Sequence, residues 1–356
     1  MVTSLDSYRT MGRSGLRVSP LALGAMTFGK DWGWGSDHED SRRIFDTYID
    51  SGGNFIDTAV NYTEGTSERL LGEFIKGKRE RVVIGTKYSV NTQAGNPNAG
   101  GSHRLNMVRS IEASLSRLGT DHIDLFYLHV WDYHTPAEEV LRGLEDLVRS
   151  GKVVYLGISD TPAWRIAHMQ TLAELRGWAP LVALQVEYSL VQRTVEHELF
   201  PMAMAMGLGV NPWAPLAGGL LAGGYSKADL AHADIGKSAI EGSRKEMIAS
   251  QGNLNERTIG VAELVREIAG ELGVHPAQLA LAWVLLNRAV VSPVIGARTL
   301  PQLQSNLNAL SIEIPEGHRE RLAAATEPSA TFPNSFLDSP LIKSMVSGGT
   351  KIQSHF

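Results

Sequence analysis

Four side chains of this 356-residue chain invite a chemical reading: Asp57, Tyr62, Lys87 and His129. Asp57, Lys87 and His129 stand at the ends of three successive apolar runs, NFIDTA, VVIGTK and IDLFYLH, and Tyr62 follows Asp57 in the loop NYTEG. Singly, each has an ordinary reading: Asp57 as a helix cap, Lys87 as a solvated strand end, His129 as a satisfied core histidine. Together, at the same end of consecutive strands, they form a set suited to proton transfer onto an oxygen that gains negative charge. A free tyrosine titrates near ~10, and a neighbouring ammonium favours the phenolate, so Lys87 is expected to lower the Tyr62 value. Asp57 would hold that ammonium in place and charged, and a ring N–H of His129 would polarise the same oxygen. No metal is needed.

Such a set requires a scaffold that brings strand ends together. Runs at 19–25, 54–59, 82–87, 123–129, 153–159, 182–188, 208–215 and 292–297 read as strands, most of them continuously apolar, as in a parallel sheet covered on both faces. Helical patterns lie between them. Leu105, Val108, Ile111, Leu115 and Leu118 recur every three or four residues; Thr135, Pro136 and Glu138 read as the capped start of the next helix, with Gly151 past its end. Thr161 and Pro162 open the helix after that in the same way. This pace of βα units predicts an α/β fold, an eight-stranded (α/β)8 TIM barrel, with an open doubly wound sheet as the alternative. The whole chain, 1–356, reads as one domain. YRTMGRSGLRVS forms an N-terminal hairpin that could plug the barrel bottom, residues 222–255 form a long loop after strand seven suited to a lid, and 327–356 form a C-terminal tail.

Composition narrows the class. The chain is 43% hydrophobic and 20% charged, as in an ordinary globular protein, and its net charge of −5 comes without a basic run, which argues against a nucleic-acid or anionic-membrane partner. The absence of cysteine excludes disulfides, thiol nucleophiles and thiolate-held metal clusters. The first twenty residues carry no apolar signal core, and no apolar run approaches the ~20 residues that span a bilayer, so a cytoplasmic protein is expected.

The segments NFIDTAVNYTEGTSE, IGTKYS, DLFYLHVWD, YLGISDTPAW, LQVEYSL, NPWAPLAGGLL and VIGARTLPQLQSNL resemble, in this order, the successive signatures of the aldo-keto reductase superfamily. The match runs from about Tyr8 to Arg321, and within the superfamily the chain is similar to bacterial reductases labelled aryl-alcohol dehydrogenases. The resemblance implies a barrel that binds NADP(H) and reduces carbonyls reversibly, with Tyr62 as acid and Asp57, Lys87 and His129 as its partners. It further implies that Ser159, Asp160 and Gln185 meet the nicotinamide carboxamide, and that Trp213 stacks on the nicotinamide ring rather than filling the core. Pro215, Leu216 and Gly218 would approach the pyrophosphate, while Gly296, Arg298, Thr299, Gln302 and Asn306 would surround the 2′-phosphate and adenine. Arg298 suits a phosphate because its guanidinium can bind two oxygens at once. Two departures stand out. The family usually has Asn where Asp160 stands, which removes a donor, and many relatives have Lys in a GKY sequence where this chain has Gly224-Tyr225. Trp32, Trp34, Tyr88 and Trp131 would wall the mouth with aromatic surface and suit an apolar or ring-containing carbonyl or alcohol; ordinary loop packing is the other reading.

Rival signals are weak. No G-x-G-x-x-G occurs, so a Rossmann domain is unsupported. His129 and His134 in HVWDYH could suggest a metal-dependent barrel hydrolase, but the first strand ends in GAMTFG with no His-x-His. A reductase-like barrel serving as a regulatory or binding subunit is the non-enzyme rival, and the presence of Tyr62 and Lys87 argues against it. Oligomeric state is open at this level.

Overall fold

The computed structural model describes residues 4–227, 230 and 252–352. Strands β1 (Arg9–Thr10) and β2 (Arg17–Val18) pair as the expected hairpin. Eight parallel strands follow: β3 (Ala22–Gly24), β4 (Phe55–Asp57), β5 (Val83–Tyr88), β6 (Ile123–Leu128), β7 (Val153–Ser159), β8 (Leu181–Gln185), β9 (Gly209–Val210) and β10 (Val294–Gly296), in spatial order β10-β3-β4-β5-β6-β7-β8-β9. The two outer strands also meet. Val291 donates its N–H to the Val210 carbonyl at 2.7 Å, and Val294 donates to Pro212 at 2.8 Å, so the sheet closes into a barrel and the open-sheet alternative falls.

Helices α1 (His38–Asp50), α2 (Thr66–Phe74), α3 (Arg104–Leu118), α4 (Ala137–Arg149), α5 (Ala163–Arg176) and α6 (Leu199–Met206) cover the outside between successive strands. They are followed by α7 (Glu256–Leu272), α8 (Pro276–Leu285), α9 (Leu300–Leu307) and α10 (Glu316–Thr326). The strands are short and almost wholly buried because helices pack outside them and side chains fill the interior, which is why their sequences read as unbroken apolar runs. The interior holds Phe55, Leu125, Tyr127, Val182 and Ala183 together with Met11 and Val18 of the hairpin, so the hairpin does plug the bottom. Arg13 seals that end further by donating its backbone N–H to Gly207 at 2.8 Å.

Local details differ from the sequence reading. The buried face of α3 is Met107, Ile111, Leu115 and Leu118, whereas Leu105 (46% exposed) and Val108 (40%) face solvent. Thr135 does not cap α4: its hydroxyl and backbone N–H both bind Asp132, and the residue preceding the helix is Pro136. Thr161 likewise turns its hydroxyl back to the Ser159 carbonyl at 2.8 Å instead of capping α5. In both places a nearby acceptor competes with the helix start. Gly151 follows α4 as expected, at φ 76°.

Of the long loop expected over 222–255, residues 228–229 and 231–251 lie outside the described residues, so the lid expectation does too. Its described ends are anchored: Tyr225 and Leu254 are buried, and Arg266 donates to the Tyr225 carbonyl at 2.7 Å. The tail carries α11 (Asn334–Leu337) and α12 (Pro340–Ser347). Among the described residues no single helix is long and apolar enough to cross a membrane.

Candidate active site

The four residues picked out first converge at the C-terminal end of the barrel. Asp57 ends β4 and Lys87 lies near the end of β5, paired side by side with that part of the barrel, so both side chains point inward. Lys87 Nζ donates to Asp57 Oδ1 at 2.6 Å, to the Thr58 carbonyl at 2.7 Å and to the Tyr62 hydroxyl at 3.3 Å. The ion pair is dry: the Lys87 and Asp57 side chains are 0% and 3% exposed. The other carboxylate oxygen of Asp57 accepts from Gln185 Nε2 at 2.8 Å. The His129 ring stands edge-on to Tyr62, centroids 5.9 Å apart, with its Nδ1 buried and unpartnered among the described residues.

Electrostatics refine the expectation for the phenol. Burial is the largest influence on Tyr62 and, helped by Asp57 and Asp160, carries its pKa above the ordinary value; Lys87 pulls against this without overcoming it. The expected net lowering is therefore corrected. In this structure Tyr62 remains a protonated phenol at neutral pH, the form a proton donor requires, and Lys87 limits what giving up that proton costs. Burial also acts to lower the Lys87 value, but Asp57 and Tyr62 outweigh it and hold the ammonium charged. His129 is pushed down to about 3, by burial first and by Lys87 second, so its imidazole is neutral and offers a single N–H.

Of the residues expected at the cofactor, Asp160, Trp213 and Arg298 stand at the adjoining rim, whereas Ser159 and Gln185 are buried, Gln185 against Asp57. Asp160 follows β7 at φ 37° and accepts from Trp213 Nε1 at 3.1 Å. Although solvent touches it, crowding protein atoms push its carboxyl up to about 6, with the bond from Trp213 acting in the other direction. Trp213 is half-exposed, so its indole face is available at the rim and not lost in the core. Past Pro215 and Leu216, Ala217, Gly218 and Gly219 all take left-handed backbone (φ 48°, 68° and 106°), the kind of turn that gathers N–H groups into an anion-binding concavity. After β10, Gly296 accepts from Asn306 Nδ2 at 3.2 Å and Arg298 donates its backbone N–H to Gln302 at 2.9 Å. Asn306 and Gln302 thus brace the loop, and Thr299 precedes α9 without a side-chain cap. The Arg298 guanidinium reaches outward and pairs with no described residue. A rim indole, a left-handed turn and an unengaged guanidinium suit a nicotinamide dinucleotide that carries an extra phosphate.

The aromatic wall is narrower than expected. Trp32 packs edge-on to Tyr62 with ring centroids 6.4 Å apart, and on Trp34 at 5.7 Å. Trp34 is itself largely buried. Trp131 is 5% exposed and lies beneath Arg165, whose guanidinium stacks 5.0 Å from its ring centre. Tyr88 is not at the mouth at all. It is fully buried, stacked on Phe126 at 5.3 Å, and donates to the Ser102 carbonyl at 3.1 Å. Strand alternation is the reason: Lys87 points into the barrel, so Tyr88 points out toward the helices. That alternation was available in the sequence. Glu68 and Arg117, which sit directly behind the Tyr62 loop, gave no such signal, because each looks like a charge on a helix surface.

The model of the Aldo/keto reductase family matches residues 20–327. The chain is similar to norsolorinic acid reductase of Aspergillus flavus, with 35% identity over 94% of this chain and 85% of that protein. It is similar to an uncharacterized oxidoreductase, YrpG, of Bacillus subtilis, with 39% identity over 86% of this chain and 92% of the relative. It is also similar to the aryl-alcohol dehydrogenase [NADP(+)] of Phanerodontia chrysosporium, with 35% identity over 88% of this chain and 84% of that enzyme. On the family match and on these relatives, the chain belongs to the aldo/keto reductase family and is an oxidoreductase.

Proposed function

We propose that the protein reduces aldehydes or ketones to alcohols, reversibly, with NADP(H) as its cofactor and Tyr62 as the proton donor. The reading is carried above all by one observation: a dry Lys87–Asp57 ion pair that presents its ammonium 3.3 Å from the hydroxyl of Tyr62. When bound, the cofactor supplies or takes up the hydride. The protein manages the oxygen. Tyr62 gives the carbonyl oxygen its proton as negative charge grows there, Lys87 stabilises the phenolate left behind, and Asp57 keeps Lys87 charged and aimed. Neutral His129 contributes one N–H toward the same oxygen and orients the substrate.

On the rim, Trp213 offers a stacking face, Ser159, Asp160 and Gln185 meet the carboxamide end, and the turn at Pro215, Leu216 and Gly218 receives the pyrophosphate. Gly296, Thr299, Gln302 and Asn306 shape the place where Arg298 reads the 2′-phosphate. Trp32, with Trp34 behind it, favours carbonyl compounds that are apolar or carry a ring. The whole chain, 1–356, acts as one barrel domain in the cytoplasm.

The test is loss of NADPH absorbance with a panel of aliphatic and aromatic aldehydes and ketones. Turnover with at least one, faster with ring-containing members, is expected. Absence of turnover with every member would favour a binding subunit instead.

A further inference from the structure

Immediately after Tyr62 the backbone takes a conformation that its residues do not choose by themselves. Thr63 (φ 45°, ψ 46°) and Glu64 (φ 54°, ψ 33°) are both left-handed, and Gly65 follows at φ 83°. For a β-branched residue this is a strained geometry, and such strain persists only where the surroundings over-determine the chain. Here they do. Thr63 Oγ1 donates to the Phe28 carbonyl at 2.8 Å and accepts from the Ser67 N–H at 3.0 Å, and Arg69 donates to the Glu64 carbonyl at 3.3 Å.

A second support lies beneath the loop. Arg117 Nη1, from α3, donates to the Val60 carbonyl at 2.8 Å, two residues before Tyr62. The same nitrogen pairs with Glu68 Oε2 at 3.1 Å, and the Glu68 side chain is fully buried. Glu68 Oε1 accepts from Thr86 Oγ1 at 2.7 Å, and Thr86 immediately precedes Lys87 on β5. The Arg117 guanidinium lies so close under Gly65 that a Cβ there would sit 2.6 Å from Cζ. One buried carboxylate therefore links the loop that carries the phenol to the strand that carries the ammonium.

We infer that the Glu68–Arg117 pair is a positioning device for the proposed reaction, setting the separation of Tyr62 and Lys87. The inference rests on the reading of Tyr62 as proton donor. A buried ion pair is a poor source of stability, since well-packed apolar residues of similar volume often do as well. Its two arms here end on groups adjoining the two reacting side chains, where geometry is what matters. Removing it lets the Tyr62 loop relax away from Lys87, which weakens the one neighbour that favours the phenolate.

The test uses the full-length protein with Arg117→Met, Arg117→Lys, and Arg117→Met combined with Glu68→Gln. The double variant removes both charges, so it leaves no lone buried carboxylate and no change of net charge. Two readouts are taken: kcat and KM for a carbonyl substrate, and the ultraviolet titration of the Tyr62 phenol, obtained by difference from the same protein carrying Tyr62→Phe. A displacement of about an ångström in reacting groups lowers rate roughly 100-fold, so Arg117→Met is expected to lose about that factor in kcat with NADPH affinity and KM little changed. Its phenol titration moves to higher pH. Arg117→Lys, which keeps a cation opposite Glu68, recovers part of the rate. The double variant recovers thermal stability but not kcat. Recovery of kcat together with stability, or an unmoved phenol titration, overturns the inference. Because the titration needs no substrate, a wild-type protein that turned over no carbonyl would sink the proposed function while the positioning role was still decided.

Discussion

The reacting cluster and the cofactor rim are built on opposite terms. Lys87 has three oxygen acceptors within 3.3 Å, two of them at 2.7 Å or closer, and no exposed surface. Arg298, the cation of the rim, has only its backbone N–H fixed, and its guanidinium is free of any described partner. Among the described residues the Trp213 indole nitrogen has one partner, Asp160. The groups that must be in register when charge moves are thus fixed before any ligand arrives, which is how preorganised electrostatics lowers a barrier. The Arg298 guanidinium and the Trp213 ring face, which we propose meet the cofactor, keep binding capacity open, to be completed by that ligand. The contrast predicts that changes in the cluster strike rate, and stability too where they leave a buried charge unpaired, whereas changes on the rim strike affinity.

The largest effect is expected from Tyr62→Phe. Losing the proton donor should reduce turnover by about 1,000-fold or more, with NADPH affinity and unfolding midpoint close to wild type. A matching loss of NADPH affinity at unchanged stability, measured by cofactor fluorescence titration, would break the division between the two regions.

Lys87→Met comes next. It leaves the buried Asp57 carboxylate with Gln185 as its remaining side-chain partner, so denaturant unfolding should show a loss of about 3 kcal/mol. The phenol also loses the neighbour that lowers its pKa, so the rise of alcohol oxidation with pH should move to higher pH. A stable variant with an unshifted profile would show that Lys87 is not the partner of Tyr62.

On the rim, Arg298→Ala should weaken NADPH about 10- to 100-fold, the scale of a lost charged hydrogen bond, while leaving NADH nearly unaffected. Equal weakening of both cofactors would mean that Arg298 does not distinguish them.

The smallest effect sharpens the comparison. Asp160 titrates near 6 in the folded protein against 3.8 for a free side chain, so its carboxylate is disfavoured by folding. That cost is full above about pH 6 and gone below about pH 4. Asp160→Asn should therefore stabilise the protein slightly at pH 7.5, by less than about 1 kcal/mol given its contact with solvent, and not at pH 4. A larger gain at the acid end would reverse the assignment.

Much of this was legible in the sequence, for reasons that can be named. The eight strands showed because a barrel buries both faces of each, leaving apolar runs that need no periodicity to be seen. Asp57, Tyr62, Lys87 and His129 showed because parallel connectivity places every strand end on one rim, so order along the chain became proximity in space. What stayed hidden depended on direction or on distant pairing. Tyr88 reads as a mouth residue until the alternation of neighbours along a strand turns it, opposite to Lys87, toward the helices. Thr135 looked like a cap until Asp132 claimed its hydroxyl. Met107 joined the buried face of α3 in place of Leu105, a shift of phase that a loose three-or-four spacing does not resolve. Glu68 and Arg117 are 49 residues apart and meet only because α2 and α3 pack side by side. The direction of the Tyr62 pKa is hidden because charge is visible in a sequence and depth is not.

The hairpin under the barrel has a consequence for the chemistry above it. With Met11 and Val18 filling the floor and Arg13 fastened to Gly207, the cylinder is closed below, and among the described residues its mouth is the end where Tyr62 and Lys87 stand. Reactant, product and solvent must all share that doorway. Whatever occupies it covers the part-exposed Tyr62 above an ammonium that is already dry, so the arriving molecule itself completes the low-permittivity surroundings in which it will react.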